Sequence, residues 1–357
     1  MLHMSIFYHI YREHAEFLME NKVAPFLKMA DSVCIMFDDQ EKPFNIKNTD
    51  EIRYKVSDRV ELTYDYLIED YTSIFRNKDN KNQFKRLFTL VAQQMAQTML
   101  KEGQCIYFNG PFEQGKVRKI HKDNFDYIHI DDPSYLTLSQ GESDTKIFEF
   151  INKFNLENEH VLIVSLDTDV KMLSILHSSY ERGRHLVVRS GTGLLPQYFY
   201  PAKILDFLEE NLNLQTNEDL IQMSEALLRT YSLYGSDYSP TFYSISHSLG
   251  FRALQEMCLT SVPETDEDFL RLVVKTYQDK NTTLRRMFPS PLQKDIDIDK
   301  IILETRKIIK AVKGTEQETL PIPSTIKLQV ERSKFVLLMW TGKLDPDSNP
   351  EDYGYIR

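Results

Sequence analysis

Two pairs of acids stand close together in the middle of the chain. Glu142 and Asp144 lie in GESDTKIFEFI, and Asp167 and Asp169 lie in VLIVSLDTDVKMLS. The first pair opens an amphipathic stretch; the second follows an unbroken apolar run. Two further acids have similar settings. Asp38, with Asp39 beside it, ends the apolar run SVCIMF, and Asp237 lies in YGSDYSPTFYSI. Carboxylates are hard oxygen donors of the kind that Mg²⁺ and Mn²⁺ select. Two such ions a few ångströms apart stabilise the attacking and leaving oxygens of a phosphodiester cleavage. That chemistry requires acids from several segments to meet at one place. A lone D-x-D in a chain with 53 acidic residues is more often a solvated turn. Both pairs also suit helix N-termini, where a carboxylate accepts from backbone N–H groups and opposes the dipole.

The elements carrying these acids are legible as apolar patterns. Helical periodicity covers residues 4–30, 50–76 and 81–102, the last with Phe84, Leu87, Phe88, Val91 and Met95 on one face. Short apolar runs predict strands over 32–39, 104–112, 125–133, 160–167 and 184–190. Residues 139–154 read as a helix, and from about 202 onward the chain reads as almost wholly helical. A proline-containing break falls at 320–324, and the tail DPDSNPEDYGY is polar and turn-rich. Strands alternating with helices predict an α/β, helix-rich fold: a parallel sheet wrapped by helices, with a mainly helical C-terminal half. Such sheets place their sites at the carboxyl ends of the strands, where Asp38, Asp167 and Asp169 are expected. His129 and Trp340 read as packed core residues. KVRKIHK, residues 116–122, is the densest basic stretch and reads as a solvated loop.

Bulk properties narrow the function. A net charge of −10 is the wrong sign for a protein that mainly grips phosphates. Cys34, Cys105 and Cys258 are far apart and lack metal-site spacing. They read as buried or free thiols of a reducing compartment, and their odd number leaves an intermolecular disulfide open as an assembly device. No run of eighteen apolar residues is present, so no membrane partner is expected. The amino-terminal stretch is charged from Arg12 onward, and no secretory signal is expected.

GESDTKIFEFI followed by VLIVSLDTDVKMLS resembles the paired signature of the Xrn-type 5′→3′ exoribonucleases, within the wider superfamily of flap endonucleases and PIN-like nucleases. YGSDYSPTFYSI is similar to a third motif of that family, and CIMFDDQEKPFNIK to a fourth, in the same order and with approximately the same spacing. The resemblance implies a PIN/flap-nuclease-like α/β core over residues 1–260 and a helical extension with a polar tail over 261–357. It implies Asp38, Glu142, Asp144, Asp167, Asp169 and Asp237 as ligands of Mg²⁺ or Mn²⁺, and Lys47 as the lysine that faces the scissile phosphate.

The departures matter equally. Family members open with a strand carrying a further catalytic aspartate, ahead of the helix that begins this chain, so the implied carboxylate set lacks one member unless Asp39 or Asp131 replaces it. After Lys47 the family's basic run becomes IKNTDEIRYK, which puts Asp50 and Glu51 where a 5′-phosphate would dock. Abundant aromatic residues, 19 Tyr and 21 Phe, suit contact surfaces. These points favour a structural, self-assembling protein on a catalytically impaired nuclease fold. It would resemble the lattice-forming polyhedrins of insect-virus occlusion bodies. The expected partners are further copies of itself, through an amino-terminal helix swap or cysteine bridges, and virions. Its place would be an occlusion body formed inside the infected cell, with no resident cofactor. The alternative is an active Mg²⁺-dependent 5′→3′ exoribonuclease or flap-type nuclease acting on RNA or DNA.

Overall fold

The computed structural model describes residues 11–37, 58–63, 65–67, 77–109, 116–122, 125–129, 143–153, 160–182, 184–191, 196–212, 214–242, 245–287, 290–291, 297–313, 321–345 and 347–355. The chain forms two compact units, Met1–Asn155 and Leu156–Arg357. The fold is α/β and helix-rich. Where one parallel sheet is expected, the described residues form two small mixed sheets, one in each unit.

In the amino-terminal unit, α1 (Tyr11–Leu18) continues through a π-helical stretch, Met19–Val23, into α2 (Ala24–Leu27). Tyr11, Ala15, Met19, Val23 and Leu27 are all buried. Their spacing of four residues would drift by about 40° per step around a regular α-helix. The wider π turn counteracts that drift and keeps the stripe on one face. Pro25 lies at the end of this stretch and has no N–H to give the preceding turn.

The stripe packs with α3 (Lys78–Met99), which presents Phe88, Val91, Ala92 and Ala96 to the same core. Asn77 caps α3 by accepting from the N–H of Asp79 at 2.9 Å. The sheet runs β1 (Ser32–Met36), β2 (Cys105–Asn109), β3 (Lys116–Ile120), β4 (Phe125–His129). β1 and β2 are parallel, and the other two pairings are antiparallel. Ile106, Phe108 and Ile120 face the α1–α3 core. Tyr107 points to the other side, against Phe150 of α4 (Ser143–Lys153), with ring centroids 5.3 Å apart.

Two expectations are corrected here. KVRKIHK is not a solvated loop, because its first five residues form β3, with Val117 and Ile120 buried and the Arg118 guanidinium donating to Gln93 Oε1 at 3.1 Å. Nor are residues 58–63 and 65–67 helical, although periodicity predicts a helix over 50–76. Their backbone is bound by amide side chains of α3. Val60 N–H donates to Asn80 Oδ1 at 3.0 Å, and Leu62 N–H to Gln83 Oε1 at 2.9 Å. These partners take the place of an intrahelical ladder.

The second unit begins with β5 (His160–Val164), parallel to β6 (His185–Ser190), which pairs antiparallel with β7 (Gln197–Phe199). Ile163, Leu186 and Val188 are buried on the inner face. Against β6 lie α5 (Thr168–Tyr180) and α6 (Pro201–Leu212). The rest is helical, as expected: α7 (Asn217–Leu233), α8 (His247–Cys258), α9 (Asp266–Lys280), α10 (Thr282–Met287), α11 (Ile298–Lys313) and α12 (Pro323–Trp340). T-x-x-D capping boxes start α7, at Thr216 and Asp219, and α9, at Thr265 and Asp268.

α9 is buried nearly all round, and its buried cations are paired: Arg271 with Glu267, and Lys275 with Glu256 and Asp279. The sequence-based boundary at 260/261 falls between α8 and α9, which pack directly on one another inside this unit. Trp340 is buried at the end of α12. A 3₁₀ turn, Pro350–Tyr353, returns the tail to α12, where Phe335 meets Tyr353 and Tyr355 with ring centroids 5.0 and 5.4 Å away. No helix among the described residues is long and apolar enough to cross a membrane.

Candidate metal centre

β5 is an apolar strand followed by Ser165-Leu166-Asp167. The Ser165 N–H donates to Arg189 O at 3.1 Å and carries the ladder one residue past the strand. Ser165 Oγ then accepts from the N–H of Asp167 at 3.1 Å. The Asp167 side chain accepts in turn from the N–H of Asp169 at 2.9 Å and caps α5. The strand end and the helix start are therefore a single hydrogen-bonded unit, with one carboxylate at the cap and a second in the first turn.

The two carboxylates differ in environment. Asp167 is exposed, whereas Asp169 is only 3% exposed. Burying a carboxylate is costly unless polar groups meet it. One that does is Tyr231 in the last turn of α7, whose hydroxyl donates to Asp169 Oδ1 at 2.7 Å. The Tyr231 ring stacks on His247 of α8 at 4.8 Å and on Trp340 at 6.3 Å. His247 is held by its Nε2–H, which donates to Gly235 O at 2.7 Å.

Asp237 is exposed, in the turn after α7 that a Ser236–Ser239 bridge closes. Burial raises the Tyr231 phenol far above its usual range. The bond to Asp169 and the negative charges of Asp169, Asp167 and Asp237 push it further the same way. Three carboxylates from two segments thus act on one hydroxyl group. Carboxylate oxygens are the donors that a hard divalent cation selects.

In the amino-terminal unit, Asp144 lies in the first turn of α4 and is half-buried. Two residues on is a group that pattern reading missed. Lys146 is fully buried, and its ammonium donates to Phe37 O at 3.0 Å and to Asn109 Oδ1 at 3.2 Å, at the carboxyl ends of β1 and β2. A signal was present in the sequence. Lys146 and the inward-facing Phe150 are four residues apart and share a helix face. Asp38, Asp39, Lys47, Asp131 and Glu142 lie outside the described residues.

All three cysteines are free. Cys34 is exposed on β1, while Cys105 and Cys258 are buried. Cys258 donates to the Met223 sulfur at 3.4 Å, and burial pushes its thiol up to about 12. A bridge to another chain through either buried thiol requires local opening, and at Cys34 desolvation, followed by the neighbouring Cys105, raises the thiol well above its usual range although the residue is exposed.

Comparison with known proteins finds no family model that matches this chain and no matching curated protein.

Proposed function

We propose that Asp167, Asp169 and Asp237 hold a divalent cation, Mg²⁺ or Mn²⁺, and that the chain is a metal-dependent nuclease acting on nucleic-acid phosphodiesters. The observation that carries this reading is the buried Asp169 carboxylate, oriented by Tyr231 and placed one turn beyond the end of a parallel strand. Sheets with parallel strands place their sites at this end, and a buried carboxylate with a dedicated donor suits such a site. The substrate class rests on the resemblance of GESDTKIFEFI and VLIVSLDTDVKMLS to the Xrn-type and flap nucleases.

When bound, the cation supplies Lewis-acid stabilisation of phosphoryl oxygens and an ionised water at neutral pH. This chain's residues fix where that chemistry happens. Asp169 provides an oriented oxygen, Asp167 provides a second at the helix start, and Asp237, in the turn after α7, joins them on the resemblance. Glu142 and Asp144 join this set on the resemblance alone.

The test is cleavage of 5′-monophosphorylated RNA and of flap DNA in Mg²⁺ and in Mn²⁺, alongside Asp167→Ala/Asp169→Ala. Cleavage by the wild type that disappears in the variant supports the reading. Absence of cleavage by folded wild-type protein overturns it.

The self-assembling reading is favoured by a different surface. Leu162, Val164 and Leu166 are exposed in alternation along and just beyond β5, and Tyr198 of β7 is exposed on the same sheet face, level with Arg189. β5 pairs only with β6 among the described residues and carries no lysine or proline, the residues that usually protect an edge. Association through this face would build the occlusion-body-like lattice. Light scattering across a concentration series tests it. Leu162→Lys/Val164→Lys should reduce the mass of any assembly, and a wild-type protein that stays monomeric removes this reading.

A further inference from the structure

We infer that Tyr231 is the positioning residue for Asp169, and that its stack on Trp340 links cation binding to the protein's single tryptophan. The inference rests on the proposed cation site and assigns a role within it.

The argument begins with what the hydroxyl does. Tyr231 is 8% exposed, and its ring lies against His247 and Trp340. Phenylalanine would fill that space equally well. The hydroxyl adds the 2.7 Å donation to Asp169 Oδ1 and no other hydrogen bond among the described residues. Groups behind a metal ligand fix its orientation, and their loss typically weakens metal affinity about 10- to 100-fold.

The ring itself has little freedom to move. His247 is tied to Gly235 O, and Trp340 also meets the ring of Tyr238 edge-on at 5.8 Å. Gly235 and Tyr238 flank the turn that carries Asp237. One aromatic cluster therefore braces a buried carboxylate on α5 and the turn that presents an exposed one. Trp340 is the only tryptophan in the chain, so its emission reports on this cluster alone.

The experiment uses the full chain and three proteins: wild type, Tyr231→Phe and Asp169→Asn. Mn²⁺ affinity is measured by calorimetry, Trp340 emission is followed on adding Mg²⁺, and thermal unfolding is recorded in chelator. Wild type should bind Mn²⁺ and change its emission. Tyr231→Phe should bind about 10- to 100-fold more weakly, with a smaller emission change and an unfolding temperature in chelator close to wild type. Asp169→Asn should show neither binding nor an emission change.

Equal Mn²⁺ affinity in wild type and Tyr231→Phe overturns the positioning role and leaves the cation site standing. An unchanged emission on saturation of the wild type overturns the link to Trp340. Failure of the wild type to bind Mn²⁺ is visible without any variant and removes the cation site together with this inference.

Discussion

Asp167 accepts the backbone N–H of Asp169 through its own side chain, so the residue that caps α5 is also a candidate metal ligand. The two roles have different chemical requirements. Capping needs any short oxygen acceptor, and serine serves as well as aspartate. Cation binding at this position needs the carboxylate. Asp167→Ala should lose about 1 kcal/mol of stability in chelator and also lose Mn²⁺ binding. Asp167→Ser should keep the stability and lose the binding. Thermal unfolding with and without Mn²⁺ separates the two, because saturating cation at about 100 times its dissociation constant adds about 2.7 kcal/mol to a protein that binds it. If the serine variant gains that increment in full, Asp167 is a cap only.

The legible and illegible parts of this chain differ by the range of the interactions that decide them. Asp167 and Asp169 could be placed at a strand end and helix start because VLIV and VKMLSIL are contiguous with them. The α3 face and the helical second half were legible for the same reason. β3 was hidden because Lys116, Arg118 and Lys119 mask an inward pair, Val117 and Ile120, that packs only when the sheet exists. Residues 58–63 have a helical pattern locally, but amide side chains some twenty residues away bind their backbone instead. Tyr231 depends on a partner 62 residues away that no local pattern announces, and the helix face that Lys146 shares with Phe150 marks it as inward without naming its partner 109 residues away.

Gly250 lets α8 approach α7 closely enough for His247 to reach Tyr231. A Cβ at Gly250 would lie 2.4 Å from Cδ2 of Tyr234, a fully buried ring whose hydroxyl is bonded to Thr276 Oγ1 at 2.6 Å. Gly250→Ala should therefore destabilise the protein by about 1–3 kcal/mol, read from urea unfolding. It should also weaken Mn²⁺ binding by displacing His247. Adding Tyr234→Leu removes the ring that clashes, so the double variant should lose less than the sum of the two single losses. Strict additivity would show that the close approach is not what Gly250 provides.

His177 sets a limit on acid stability. Its Nε2 accepts from the buried Arg184 guanidinium at 2.6 Å, which requires a neutral ring. Burial first, then the Arg184 charge, lower its pKa from 6.5 to about 4. A lowered imidazole contributes stability above pH 6.5 and loses it as the pH falls towards 4, because the unfolded chain takes up the proton first. The loss is on the order of 3 kcal/mol across that window. His177→Gln keeps an acceptor for Arg184 and removes the titration. Its unfolding free energy should fall less than that of wild type between pH 6.5 and 4. The slope will not vanish, because burial also lowers His14 to about 4.

Alkali should act through buried tyrosines rather than exposed ones. Surface tyrosines lose their protons near pH 10. In the fold, however, burial raises Tyr355 to about 12, and burial also raises Tyr231, Tyr234 and Tyr277. A raised phenol contributes its full stability below pH 10 and loses it as the pH climbs towards the folded value, because the unfolded chain gives up its proton first. Unfolding free energy should therefore hold to about pH 10 and drop between 10 and 12. Tyr355 lies against Phe335 with the Arg332 guanidinium 5.4 Å from its ring centroid, so the 3₁₀ turn on α12 should loosen in that window. Tyr355→Phe removes that titration while keeping the ring, and should flatten the drop. Proteolysis of the carboxyl-terminal segment at pH 9 and pH 11 checks the location: wild type should be cut faster at pH 11, and Tyr355→Phe should be cut equally at both. Equal cutting of wild type at the two values would place the alkaline weakness elsewhere in the helical unit.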